Sequence, residues 1–100
     1  MENFVYYNNL FDIYKELLTK KQQEIFKLYF EENWSMQEIA EDNQVSKSFV
    51  GKVVKDCENK LEYYEKIFHL YEYKTKLREI ESIDDLDKIK KIVKNIVNNI

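Results

Sequence analysis

One glycine and no proline stand in a chain of one hundred residues. Both residue types end or bend helices, so their scarcity favours long helical runs. Strand-rich folds need turn residues roughly every ten positions, and Gly51 alone cannot supply them. The fold class expected is all-α. A hydrophobic content of 44% against 35% charged residues is enough to build a core and sets the chain apart from disordered ones. The length suits one compact domain with an appended arm.

Apolar spacing then marks the helices. Tyr7, Leu10, Phe11, Tyr14, Leu17 and Leu18 recur at i, i+3, i+4 and i+7, which predicts one amphipathic helix over 4–18. Thr19 followed by Gln22 reads as a capping box for a second helix near 20–32, burying Ile25, Phe26, Leu28 and Tyr29. Ser35 with Glu38 repeats the pattern before a short helix carrying Met36, Ile39 and Ala40. Ser46 caps a fourth helix, whose inner face reads Val50, Val53, Val54, Cys57 and Leu61. Periodicity continues through Tyr64, Phe68, Tyr71 and Leu77, as one helix or as two with a bend near Phe68. Ser82, Asp84 and Asp85 signal the start of a last helix, with Leu86, Ile89, Val93, Ile96 and Val97 on one side.

The segment WSMQEIAEDNQVSKSFVGKVV, residues 34–54, has the form of a helix-turn-helix. Ala40 is small where two helices must cross. Gln44 occupies the left-handed turn position that glycine commonly fills. Val45 plugs the gap after the turn, Ser46 caps, and Val50 and Val53 line the inner face. The predicted architecture is a helix-turn-helix bundle over 1–65 and a C-terminal helical extension over 66–100. Tyr64, Phe68 and Tyr71 are the candidate dimer or partner contacts in the C-terminal region.

The outward face of the fourth helix offers Lys47, Ser48, Gly51, Lys52 and Lys55. Lysines there suit phosphate contacts, and Ser48 suits a base edge. Charge elsewhere opposes this. The net charge is -3, and the preceding stretch holds Glu31, Glu32, Glu38, Glu41 and Asp42 with no basic residue from 31 to 45. Phosphate binding is driven by cationic charge and counterion release, and the ridge has no arginine for a bidentate guanine contact.

The run from LFDIYKELLTKKQQ through LYFEENWSMQEIA to VSKSFV resembles the YlxM family of small bacterial proteins, over roughly residues 7–72. That resemblance implies an all-helical fold with a helix-turn-helix similar to region 4 of sigma factors. It also implies a homodimer and an association with the signal recognition particle, through its GTPase, its RNA or both, with DNA as a further ligand. Departures from the pattern are Gln44 in place of glycine, Phe49 in place of a small residue, and Gly51 in place of a larger polar one.

Reactive chemistry is sparse. His69 is the lone histidine and reads as a packing or surface residue. Metal sites need several ligands at matched spacing; Asp84, Asp85 and Asp87 lack the glycine turn and final glutamate of a calcium loop. No glycine-rich phosphate loop or Ser/His/Asp set is present. Cys57 falls on an inner helix face, as core rather than nucleophile. The reading is a non-enzymatic protein without cofactor or metal. A single cysteine, no 20-residue apolar run and no basic leader at the N-terminus point to the cytoplasm. Three functional readings follow: an accessory factor of the particle, a dimeric sequence-specific transcription regulator, and a helical module that pairs with a second copy.

Overall fold

The computed structural model describes residues 3–100, and the helices within them follow the order α1 (Phe4–Tyr14), α2 (Lys20–Phe30), α3 (Met36–Asn43), α4 (Lys47–Phe68), α5 (Leu70–Ile80) and α6 (Leu86–Asn99). The fold is all-α. The chain divides into two units, one ending at Ile67 and the other spanning Phe68–Ile100.

In the first unit, caps set the helix starts. Thr19 Oγ1 accepts from the Gln22 amide while Gln22 Oε1 accepts from the Thr19 amide, and Ser35 and Glu38 repeat this reciprocal pairing. Each cap satisfies amides that a helix start would leave open, worth about 1 kcal/mol. Phe11, Phe26 and Phe30 form a stack in the core, with ring centroids 4.8 Å and 4.3 Å apart. Leu10, Ile25, Ile39, Val50, Cys57 and Leu61 are fully enclosed around it. Polar ties join α1 to its neighbours: Asn8 Nδ2 donates to the Phe30 carbonyl at 2.9 Å, Tyr14 Oη donates to Glu65 at 2.6 Å, and Tyr7 Oη donates to Glu62.

Several details differ from the periodicity reading. The first helix ends at Tyr14, and a 3-10 turn over Lys15–Leu17 follows. That tighter winding rotates Leu17 out, to 51% exposure, and leaves Leu18 in the core. In α2, Leu28 and Tyr29 are half-buried, and Phe30 takes the core position instead. Val53 is also half-buried; Val54 holds the inner face of α4.

In the second unit, α5 and α6 pair. Tyr73 and Ile96 are buried. Tyr73 Oη donates to the Asn99 carbonyl at 3.2 Å, and Lys76 Nζ donates to Asn95 Oδ1 at 2.9 Å. The question of one helix or two after residue 47 resolves at His69, which is left-handed at φ 57° and separates α4 from α5. Ser82 closes α5 rather than opening α6, since its hydroxyl donates to the Glu79 carbonyl. The cap of α6 is Asp85, whose Oδ1 accepts from the Asp87 and Lys88 amides. On the apolar stripe of α6 only Ile96 is buried; Leu86, Val93 and Val97 remain exposed.

Candidate nucleic-acid interface

The ridge begins with the turn that aims it. Gln44 sits at φ 55°, ψ 44°, and its amide donates to the Ala40 and Glu41 carbonyls. The Val45 amide also donates to the Ala40 carbonyl, at 3.0 Å. This closes α3 and turns the chain sharply. A left-handed glutamine costs about 1 kcal/mol, offset by the bonds it completes. Asn43 reinforces the corner: its Nδ2 donates to the Ile39 carbonyl and its Oδ1 accepts from Lys21 Nζ at 2.8 Å, tying α2 to the end of α3. Ala40 is buried and Val45 half-buried. Ser46 Oγ accepts from the Phe49 amide at 3.0 Å and starts α4.

From that start, helical phase sorts the side chains. Val50, Val54, Cys57 and Leu61 face the core, and Lys47, Ser48 and Lys52 are exposed. Lys55 leans toward the buried Glu58, 3.9 Å away, with 70% of its side chain in solvent. Gly51 is half-buried beside α3, where a Cβ built on it lies 3.7 Å from Met36 Sδ. Lys47, Ser48, Lys52 and Lys55 are thus exposed on one helix, while Gly51 turns toward α3. Periodicity did not single out two further residues there. Glu58 is a carboxylate only 5% exposed, and Phe49 is an aromatic ring 42% exposed on the first turn.

The acids of α3 and of the stretch before it face solvent. Glu31, Glu32, Glu38, Glu41 and Asp42 are all exposed. The Ser35 backbone amide bonded to Glu38, with help from the Ser35 hydroxyl, holds that carboxyl below the usual carboxylate range, so it is ionised at neutral pH.

The other candidate residues lie apart. Tyr64 is half-buried against Tyr14, and its hydroxyl reaches the Leu17 carbonyl at 3.4 Å. Phe68 is exposed and Tyr71 half-buried. His69 pairs with Glu72 at 3.3 Å. Cys57 is enclosed, and burial pushes its thiol up to about 12, which suppresses the nucleophilic thiolate. Among the described residues no group of three or more His, Cys, Asp or Glu is placed to hold a metal ion, and no helix is long and apolar enough to cross a membrane. A surface cleft of ≈ 460 Å³ on α1 and α2 is rimmed by Lys15, Lys20 and Lys27 with Glu16, Glu24 and Glu31, away from the α4 ridge.

Comparison with known proteins places the chain in a family. The profile of the UPF0122 family, described as "Putative helix-turn-helix protein, YlxM / p13 like", matches residues 1–100. A UPF0122 protein of Clostridium kluyveri is 38% identical over the full length of both chains. Another, from Oceanobacillus iheyensis, is 43% identical over 81% of this chain and 80% of its own. A third, from Limosilactobacillus reuteri, is 45% identical over 64% of this chain and 57% of its own. With a profile match over residues 1–100 and a relative matched over its full length, the chain belongs to the UPF0122 family of YlxM-like helix-turn-helix proteins.

Proposed function

We propose that the protein is a non-enzymatic nucleic-acid-binding regulator of the cytoplasm, acting as an accessory factor of the signal recognition particle through its GTPase, its RNA or both. The observation that carries the nucleic-acid part is the exposure of Lys47, Lys52 and Lys55 together on the outward ridge of the helix-turn-helix. Three cations within about two helical turns form an electrostatic footprint for phosphate. The link to the particle rests on the family resemblance. Affinity capture of the tagged protein from native cytoplasm tests it: the particle's GTPase or RNA is expected in the eluate and is lost from a Lys47→Gln/Lys52→Gln/Lys55→Gln variant. Recovery of neither component with the unmodified protein refutes the association.

A second reading, a dimeric sequence-specific transcription regulator, is favoured by the second unit. Leu70, Leu77, Leu86, Val93 and Val97 are exposed on α5 and α6, an apolar surface suited to a second copy. A two-fold duplex site requires recognition helices about 34 Å apart. Sedimentation that finds a monomer at high concentration, or equal affinity for palindromic and random duplexes, refutes it.

A further inference from the structure

Phe49 and Gly51 are left unexplained by a simple phosphate ridge. Phe49 stands on the first turn of α4, 42% exposed, while Val50 beside it is fully enclosed. In helical phase its ring neighbours Lys52 and Val53 at i+3 and i+4, and Ser48 precedes it. An exposed aromatic flanked by a cation offers a π-face to a planar ligand and a charge to that ligand's phosphate. Gly51 is the chain's single glycine. Its φ is not positive, and a Cβ there would find ordinary contact, Met36 Sδ at 3.7 Å, so neither backbone nor packing demands glycine. It leaves the helix backbone bare between Lys47 and Lys55, one turn before and one turn after.

The surroundings decide which form of nucleic acid fits. When a helix-turn-helix reads duplex DNA, its second helix fills the major groove and its first crosses the phosphate backbone. Here that first helix, α3, carries the exposed acids Glu38, Glu41 and Asp42 and no basic residue. A duplex would drive its phosphates against those carboxylates. The first two turns of α4, KSFVGKVV, also hold no Arg, Asn or Gln to pair bidentately with a base edge. A single strand is not held to the duplex path. It can follow α4 alone, keep clear of α3 and turn a base onto the ring.

We infer that the α4 ridge takes unpaired nucleotides, with phosphates against Lys47, Lys52 and Lys55 and a base stacked on Phe49. This rests on the nucleic-acid reading above and names its ligand class. The test is fluorescence anisotropy with the full chain at low salt, using 12-nucleotide oligo(U), 12-nucleotide oligo(dT) and a mixed-sequence 20-base-pair DNA duplex. At least one single strand is expected to bind about ten-fold or more tighter than the duplex. Phe49→Leu should weaken that binding roughly 5- to 100-fold, the range for losing one base–aromatic stack, and Phe49→Tyr should restore it. Lys52→Gln should weaken all bound oligonucleotides alike. Tighter binding of oligo(U) than oligo(dT) assigns the ligand as RNA through the 2′-hydroxyl; equal binding assigns stacking and charge alone, and both support the inference. A duplex bound as tightly as the strands, or a Phe49→Leu variant equal to the parent, overturns the inference and leaves nucleic-acid binding standing. No binding to any of the three overturns both.

Discussion

Replacing Gly51 by alanine is predicted to stabilise the protein. Glycine in a helix interior is about 0.8–1.0 kcal/mol less favourable than alanine, because it loses more backbone freedom on folding. Gly51 is the fifth residue of a 22-residue helix, well inside the region where that difference applies in full. The new methyl meets Met36 Sδ at 3.7 Å, an ordinary contact distance, and the backbone is not left-handed. No strain subtracts from the gain, so Gly51→Ala should add about 1 kcal/mol. For a unit of this size that corresponds to a rise in Tm of about 4–8 °C. Far-UV circular dichroism melts measure it directly, and urea midpoints at constant m separate a stability change from a change in denatured-state compactness. Gly51→Val should fall between the two, since β-branching removes part of the propensity gain. A lower Tm for Gly51→Ala would refute the reasoning. It would mean that α3 and α4 approach at residue 51 too closely for a methyl group, and that glycine is there for packing.

Three further outcomes follow from the same structure. Gln44→Gly relieves a left-handed residue at φ 55° and should gain up to about 0.5 kcal/mol in urea titration, net of glycine's entropy; a loss would show that the glutamine side chain itself holds the turn. Cys57, enclosed and with its thiol pushed up to about 12, should resist a thiol reagent at pH 8 until the protein unfolds, so labelling should track unfolding; rapid labelling of folded protein would contradict its burial. The Glu38 carboxyl is held below its ordinary 4.5 chiefly by the Ser35 amide. A depressed carboxyl contributes stability that is present above the unfolded pKa and is lost as pH falls through the folded one. Its contribution should therefore fade below about pH 4.5, and Glu38→Gln, which keeps a capping side chain, should flatten that part of the pH–stability curve; an unchanged curve would refute it.

Local chemistry was the most legible part of the sequence. Thr19 with Gln22 and Ser35 with Glu38 place their helix starts correctly because a capping box is decided within four residues. Gln44 is left-handed at the turn position where glycine is common, a position readable from its place between Ala40 and Val45. Features set by tertiary packing were less legible. Leu17 and Leu18 are both apolar, and only the 3-10 turn decides which one enters the core. Val53 and Val54 pose the same choice on α4, where Val54 is buried and Val53 half-buried. His69 breaks the chain without a glycine or proline, and Ser82 and Asp85 are both competent caps, so neither boundary has a composition signal. The lysine ridge follows from helical phase alone. Glu58, buried on the same helix, does not, because a carboxylate is a poor predictor of its own burial.

Charge placement explains how a chain of net charge -3 can still present a ridge of exposed lysines. At physiological salt the Debye length is about 8 Å, so a phosphate feels mainly the side chains it touches. On α4 those are Lys47, Lys52 and Lys55; one helix earlier they are Glu38, Glu41 and Asp42. The overall negative charge supplies no long-range attraction for a polyanion, so encounter is unassisted and binding depends on contact. A ligand able to engage one helix and avoid the other gains from this division, and a broad rigid duplex loses. Three lysines on one copy are few for tight binding. A second copy joined through the exposed leucines and valines of α5 and α6 would raise the effective concentration of ridges around one nucleic acid without any new contact on α4.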